Sequence, residues 1–276
     1  MKISVIIPTI NRQIELDKML QSLCTQTYSN FETIVVDQNS KLDLKNILDK
    51  YPQLKIHHIK TAPLGASNAR NVGAQLATGD ILTFPDDDCM YFKDTLNQAI
   101  NLIKERSLIT GKCISSNGIT SVVGFNALYT KISIWNVWST AVEATIFINK
   151  NLFIKLKGFN ESLGVGAPTP YGAGEGTDLL IRALKMGIDA YYYPELTMYH
   201  PQVTSEYTEK EFKRAYSYST GIGRVHKINQ TPVIQRLIAL LRPLLGAILY
   251  FVQLNIKKSK FHYFSFKGRV RGLCSK

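Results

Sequence analysis

Acidic residues are missing from the last 53 positions of this 276-residue chain: residues 224–276 carry 11 lysines and arginines and no aspartate or glutamate. The other 223 residues hold 22 basic side chains against all 21 acidic ones, so +11 of the net charge of +12 resides in the tail. A near-neutral body with acids in its loops excludes a chain that binds nucleic acid along its length, whose footprint is a basic face. The four cysteines, Cys24, Cys89, Cys113 and Cys274, include no Cys-x-x-Cys pair. That excludes a zinc ribbon or a disulfide scaffold and reads as reduced cytosolic thiols. No Gly-x-Gly-x-x-Gly follows the first strand-like run and no P-loop signature occurs, so both common phosphate cradles are absent. The start, MKISVIIPTI, has an apolar run stopped by Pro8, too short for a secretory signal. The catalytic part is therefore expected to face the cytosol.

What the chain has is apolar material for a large core. Hydrophobic residues make up 45% and aromatics 10%, and a domain of this length buries roughly 70–75% of its unfolded surface. Residues 4–8 form a β-branched run ended by proline, and residues 12–26 place Ile14, Leu16, Met19, Leu20 and Leu23 at helical spacing. The alternation continues with strands over 31–36, 55–59 and 80–84 and helices over 42–50 and 66–76. It predicts βαβ units, hence an α/β fold with a mostly parallel central sheet. Ligands of such sheets collect at the carboxyl ends of the strands. Polar clusters stand there: Thr9, Asn11 and Arg12, then Asp37 to Ser40, then Asp86-Asp87-Asp88.

Three adjacent carboxylates raise one another's pKa unless a cation offsets them. Mg²⁺ and Mn²⁺ take carboxylate oxygens and share their shell with substrate phosphates. The alternative is a solvated turn capping a helix over 92–103; its place directly after an apolar strand favours the metal. A second constellation is the glycine-rich run Gly164, Gly166, Gly172, Gly174 and Gly176, which reads as a mobile loop. Glu175 and Asp178 follow at a helix start, where acids serve either as caps or as catalytic carboxylates. A lone histidine such as His200 is more often structural than a ligand; it gains meaning as a partner of the aspartates.

In their order, VIIPTINR, VVDQNS, GASNARNVG, TGDILTFPDDDC, KGFNE, GEGTDLLIRALKMG and the histidine of MYHP resemble family 2 glycosyltransferases, inverting enzymes of the GT-A fold, in particular bacterial members that build surface polysaccharides. The resemblance covers residues 2–200. It implies a GT-A-like catalytic domain over 1–223, a nucleotide-sugar donor, UDP-linked, and Mn²⁺ or Mg²⁺. It places Pro8, Thr9, Asn11, Arg12, Asp37 and Asn39 at the nucleoside, with Asp37 accepting from uracil N3–H, and Arg70 near the diphosphate. Asp86, Asp87 and Asp88 line the donor. Asp86 and Asp88 match the family's DxD, Asp88 is the direct metal ligand, and His200 is an additional one. The metal would neutralise the departing nucleoside diphosphate while a carboxylate takes the acceptor's proton. The family's Glu-Asp pair stands here as Glu175-Gly176, so the base is Glu175 or Asp178; Glu175 is favoured and Asp178 suits helix capping.

In the tail, Gly221-Ile222-Gly223-Arg224 reads as a hinge before a basic, apolar segment over 224–276. Residues 237–254 are largely apolar, yet a spanning helix needs about 20 such residues and a central Arg242 costs about 2.5–3.5 kcal/mol. An interfacial or re-entrant element is preferred, with Lys257, Lys258, Lys260, Lys267, Arg269 and Arg271 on an anionic membrane surface. Phe261, Tyr263, Phe264 and Phe266 stand between these charges. That places the chain at the cytoplasmic face of the cell membrane, peripheral or monotopic, working on a lipid-linked glycan and binding no nucleic acid. A packed helical pair or a homo-oligomer contact is the alternative for the tail. For the chain, the alternatives are a sugar-phosphate nucleotidyltransferase, whose glycine-rich basic loop is lacking, and a non-catalytic module binding membrane or nucleic acid through the tail.

Overall fold

The computed structural model describes residues 1–62, 64–202 and 206–275; Lys276, the last basic residue of the tail, lies outside them. In chain order the elements are β1 (Ile3–Thr9), α1 (Gln13–Cys24), β2 (Phe31–Asp37), α2 (Lys45–Leu48), β3 (Ile56–Lys60), α3 (Ala66–Leu76), β4 (Ile81–Thr83), β5 (Met90–Tyr91), α4 (Thr95–Ile103), β6 (Leu108–Ile114), β7 (Thr130–Lys131), β8 (Ile146–Asn149), α5 (Lys150–Lys155), α6 (Glu175–Lys185), β9 (Tyr191–Tyr199), α7 (Glu209–Ile228), α8 (Val233–Val252) and α9 (Ile256–Cys274). They fall into two compact units. The first comprises Met1–Leu64, Asn68–Phe159 and Leu179–Val203, and the second Gly65–Ser67, Asn160–Asp178 and Thr204–Lys276.

The first unit is an α/β fold built on one sheet in the order β3-β2-β1-β4-β8-β6-β9-β5, with β7 on β9. The parallel run covers β3, β2, β1 and β4; β8 then pairs antiparallel with β4 and β6, so the sheet is mixed beyond its first four strands. Every residue of β1 is buried, as expected of a central parallel strand. Pro8 stands inside it at little cost. Thr9's carbonyl accepts from Gln38 N on the β2 side, so Pro8's backbone faces the β4 side, where the ladder ends at Val5. Helix α1 buries Leu16, Met19, Leu20 and Leu23 in one apolar cluster with Ile3, Val5 and Ile7 of β1. Each fully buried leucine contributes roughly 1.5–3 kcal/mol.

Two expected helices change their bounds. The helix expected over 42–50 contracts to α2, because Asp43 Oδ1 takes the Lys45 N–H at 2.9 Å and starts the turn late. The helix expected over 92–103 starts at Thr95, with Asp94 at its N-cap and β5 between it and the triple aspartate. Capping is therefore not what Asp86, Asp87 and Asp88 do.

In the second unit α9 packs along α7 and against α8. The expected hinge at Gly221 to Arg224 lies inside α7, which runs unbroken. Its glycines serve close approach: a Cβ on Gly223 would fall 2.3 Å from the Arg269 carbonyl, and one on Gly272 of α9 would fall 2.1 Å from that of Thr220. The glycine-rich run expected to be a mobile loop is tied by backbone bonds, Gly164 N to Tyr171 O (2.9 Å), Ala66 N to Val165 O (2.9 Å) and Gly172 N to Ser217 O (3.1 Å).

Candidate active site

The carboxyl ends of β1, β2 and β3 share one hydrogen-bond network. Asn11 takes the left-handed conformation at φ 56°, which asparagine tolerates, and its N–H donates to Asn39 Oδ1 at 2.6 Å. Asn39 gives its own N–H (2.8 Å) and its Nδ2 (2.7 Å) to Asp37 Oδ1. The other oxygen, Oδ2, faces His58 Nε2 at 3.0 Å. Asp37 is buried, so its charge is oriented by these donors rather than by water. His58 is a residue sequence reasoning missed. Its only signal was a place on the strand that pairs with β2, and it lies 21 residues from its partner.

The triple aspartate forms a turn, closed by the Cys89 N–H on the Asp86 carbonyl at 3.0 Å. Asp87 turns into the body, where Thr9 Oγ1 donates to its Oδ2 at 2.8 Å and Arg12 Nη1 to its Oδ1 at 3.2 Å. Burial lifts its carboxyl to about 7 against the opposing pull of Arg12 and Thr9, with the charges of Asp86 and Asp88 adding. Asp87 thus clips the first loop to the aspartate loop. Asp86 and Asp88 bring carboxylate oxygens close together, and each meets an arginine. Arg70, buried to 2% side-chain exposure, donates Nη2 to Asp86 Oδ1, and Arg12 donates Nη1 to Asp88 Oδ2, both at 2.5 Å. Burial would lower the pKa of Arg12, but Asp87 and Asp88 outweigh it and hold the guanidinium above its ordinary value.

Asp86, Asp88, Cys89 and His200 each bring a ligand atom within 4.8 Å of the others. His200 follows β9, its backbone N–H held by Ile114 O at 3.0 Å. Its Nδ1 lies 2.8 Å from Pro201 O, a carbonyl that can only accept, so in the neutral ring the proton sits on Nδ1 and the Nε2 lone pair is free. That lone pair faces Asp88 Oδ1 at 3.6 Å, and Oδ1 is itself buried without a hydrogen bond. With the ring neutral, two acceptors face one another across a gap, an arrangement that fits a cation. Cys89, the other residue not foreseen, fits less well. Burial, then Asp86, Cys113 and Asp88, push its thiol well above the usual range, whereas a thiol must be deprotonated to bind metal. Two carboxylates and an imidazole select a hard divalent ion over a thiophilic one.

Glu175 and Asp178 belong to the second unit, in the first turn of α6. Both are buried. Glu175 packs on Gly164, where a Cβ would fall 2.7 Å from its Oε1. Asp178, in that first turn, also receives Asn229 Nδ2 from the end of α7 at 2.7 Å, a tertiary link.

Among curated relatives, the chain is 38% identical over 106 residues to the amylovoran biosynthesis glycosyltransferase AmsB of Erwinia amylovora, a match covering 37% of this chain and 35% of that protein. It is 34% identical over 128 residues to the poly(ribitol-phosphate) β-N-acetylglucosaminyltransferase TarS of Staphylococcus aureus, covering 43% of this chain and 22% of TarS. These matches thus span about a third or less of the relatives' own length. The fold is shared with solved structures. TarS residues 1–349 with UDP-GlcNAc superposes with a TM-score of 0.64 at 17% identity, covering 100% of this chain and 93% of that one. The mannosyltransferase PcManGT of Pyrobaculum calidifontis with GDP-Man and Mn²⁺ gives 0.66 at 18%, covering 100% and 88%. The model of glycosyl transferase family 2 matches residues 4–150, more than half the chain and the whole of the Asp37 network and the aspartate loop, and the chain belongs to that family.

Proposed function

We propose that this chain is an inverting, metal-dependent glycosyltransferase that moves a sugar from a UDP-linked donor to a lipid-linked or polysaccharide acceptor, in surface glycan synthesis at the cytoplasmic face of the cell membrane. The observation that carries it is the gap between His200 Nε2 and Asp88 Oδ1, two facing acceptors 3.6 Å apart beside Asp86. The donor class is supported by two proteins of the same fold, one bound to UDP-GlcNAc and one to GDP-Man with Mn²⁺.

In this reading Asp37, fixed by Asn39 and His58, accepts the uracil N3–H, and Arg12 and Arg70 supply positive charge on the diphosphate side. Asp86, Asp88 and His200 would hold a divalent cation, which would supply Lewis-acid neutralisation of the leaving diphosphate. Glu175 takes the proton of the acceptor hydroxyl, whose oxygen bonds to the anomeric carbon from the face opposite the breaking bond to the diphosphate oxygen. The nucleoside diphosphate departs with that bond's electron pair, and the sugar inverts. Asp178 is the weaker candidate for base because its carboxylate is engaged by Asn229.

Melting temperatures with UDP-GlcNAc, other UDP-hexoses and GDP-Man, each with and without Mn²⁺, test the donor and the metal together. Metal-dependent stabilisation by a UDP-sugar is expected, and none by any donor would remove the assignment. Glu175→Gln should abolish transfer while donor binding stays; near-normal turnover would exclude Glu175 as the base.

A further inference from the structure

Helix α8 is built inside out. The residues it buries are Gln235, Ala239, Pro243 and Ala247, and at Gly246 a Cβ would fall 2.8 Å from the ring of His262 on α9. Its branched aliphatics point away from the unit: Ile234, Leu237, Leu241, Leu245, Ile248 and Val252 are 49–73% exposed. At 3.6 residues per turn these six fall within an arc of about 80° and along about 27 Å of helix. A soluble surface rarely leaves so long an apolar stripe uncovered. Small residues turned inward and large aliphatics outward are the arrangement of helices whose surroundings are lipid.

The charges around the stripe select the occupant. Residues 224–276 contain no acid, so a second copy docked on this face would set basic residues against basic residues, whereas anionic phosphates complement them. Lys257 is exposed just past the end of α8, and Lys258 sits over the Tyr250 ring at 4.0 Å, a cation and an aromatic placed as at a headgroup boundary. Length and composition alone would let α8 cross a membrane. Yet Arg242, exposed at mid-helix, would then sit near the bilayer centre, while a helix lying flat holds it among the phosphates at the edge of the aliphatic arc.

We infer that α8 lies in the plane of an anionic bilayer surface, with its outer aliphatic arc in the acyl region and Arg242, Lys257 and Lys258 on lipid phosphates. The inference deepens the membrane placement of the proposed function and makes no use of the transfer chemistry. The full chain is floated with vesicles of phosphatidylglycerol and phosphatidylcholine and, separately, of phosphatidylcholine alone. Flotation with the anionic vesicles is expected. The triple substitution Leu237→Ser, Leu241→Ser, Leu245→Ser should cut partition about tenfold or more while the lipid-free melting temperature stays unchanged. Lys257→Ala with Lys258→Ala should weaken binding mainly at low salt. Nitroxides at Leu237→Cys, Leu245→Cys and Val252→Cys, in a Cys24→Ser, Cys274→Ser background, should report one common depth. Depths graded across the bilayer would overturn the in-plane seat. So would flotation of the triple variant at the parent's level, or a lipid-free dimer that the triple variant dissociates. A chain that floats but binds no nucleotide sugar upholds this inference and removes the transferase reading; one that binds the sugar and stays off vesicles does the reverse.

Discussion

The two units place their leucines in opposite ways. In the first, α1 turns Leu16, Met19, Leu20 and Leu23 inward to 1% exposure or less, where they complete a core with β1. In the second, α8 turns Leu237, Leu241 and Leu245 outward. The difference lies in what else must fit. A sheet and a helix meet through side chains, so large residues fill the space between them. Helices α7 and α9 meet through backbone at Gly223, Gly268 and Gly272, where even a methyl group collides, and α8 offers α9 mainly small residues. On α8 the large aliphatics are left on the outside. Apolar content therefore does not tell inside from outside; the placement of small residues does.

The charges divide the same way. In the proposed function, acids gathered at strand ends carry the chemistry, and the tail, without acids, supplies location. The largest expected effect tests that division. Asp88→Asn keeps the shape of the loop but withdraws the charge facing His200, so transfer should fall by several kcal/mol in barrier, about 10²–10⁴-fold. Nucleotide release measured with Mn²⁺ checks it, beside vesicle binding, which should not change. A variant with parental turnover would dissolve the contrast between strand-end acids that do the chemistry and an acid-free tail that seats the chain.

Next in size is the inward-facing leucine. Leu20→Ala deletes a fully buried side chain and should cost about 2–5 kcal/mol in urea unfolding. A cost below about 1 kcal/mol would mean that the α1 packing is not as close as its burial indicates.

The parts of this arrangement that could be read from the sequence are those set by local pattern. The runs of β1 and β2 and the spacing of α1 and α3 carry their own period, and Asp86 to Asp88 announce themselves by standing after a strand. Long-range relations could not be read so. His58 meets Asp37 only through the β2–β3 pairing. Cys89 beside Asp88 looks like an ordinary core thiol. Gly221 and Gly223 suggest a hinge locally, yet Gly223 is set by the backbone of α9 some 46 residues further on. The apolar stretch of α8 shows its length but not its outward face, because no polar stripe marks the packed side.

The backbone contact between α7 and α9 can be tested directly. Gly272→Ala puts a methyl 2.1 Å from the Thr220 carbonyl, which is backbone and cannot swing aside. It should cost about 1–3 kcal/mol, localised by hydrogen exchange: amides of α7 and α9 should lose protection while those of β1 and β2 keep theirs. Equal loss in both units would show that they unfold as one, and the comparison between them would lose its energetic basis.

The smallest expected effect is the most discriminating. Leu241→Ala makes the same deletion as Leu20→Ala, on a side chain 49% exposed and turned away from its own unit. In lipid-free buffer it should change unfolding free energy by less than about 0.5 kcal/mol, as surface substitutions do. A cost comparable to that at Leu20 would mean that protein, not lipid, covers the outer face of α8 in solution, and the two units would then obey one packing rule.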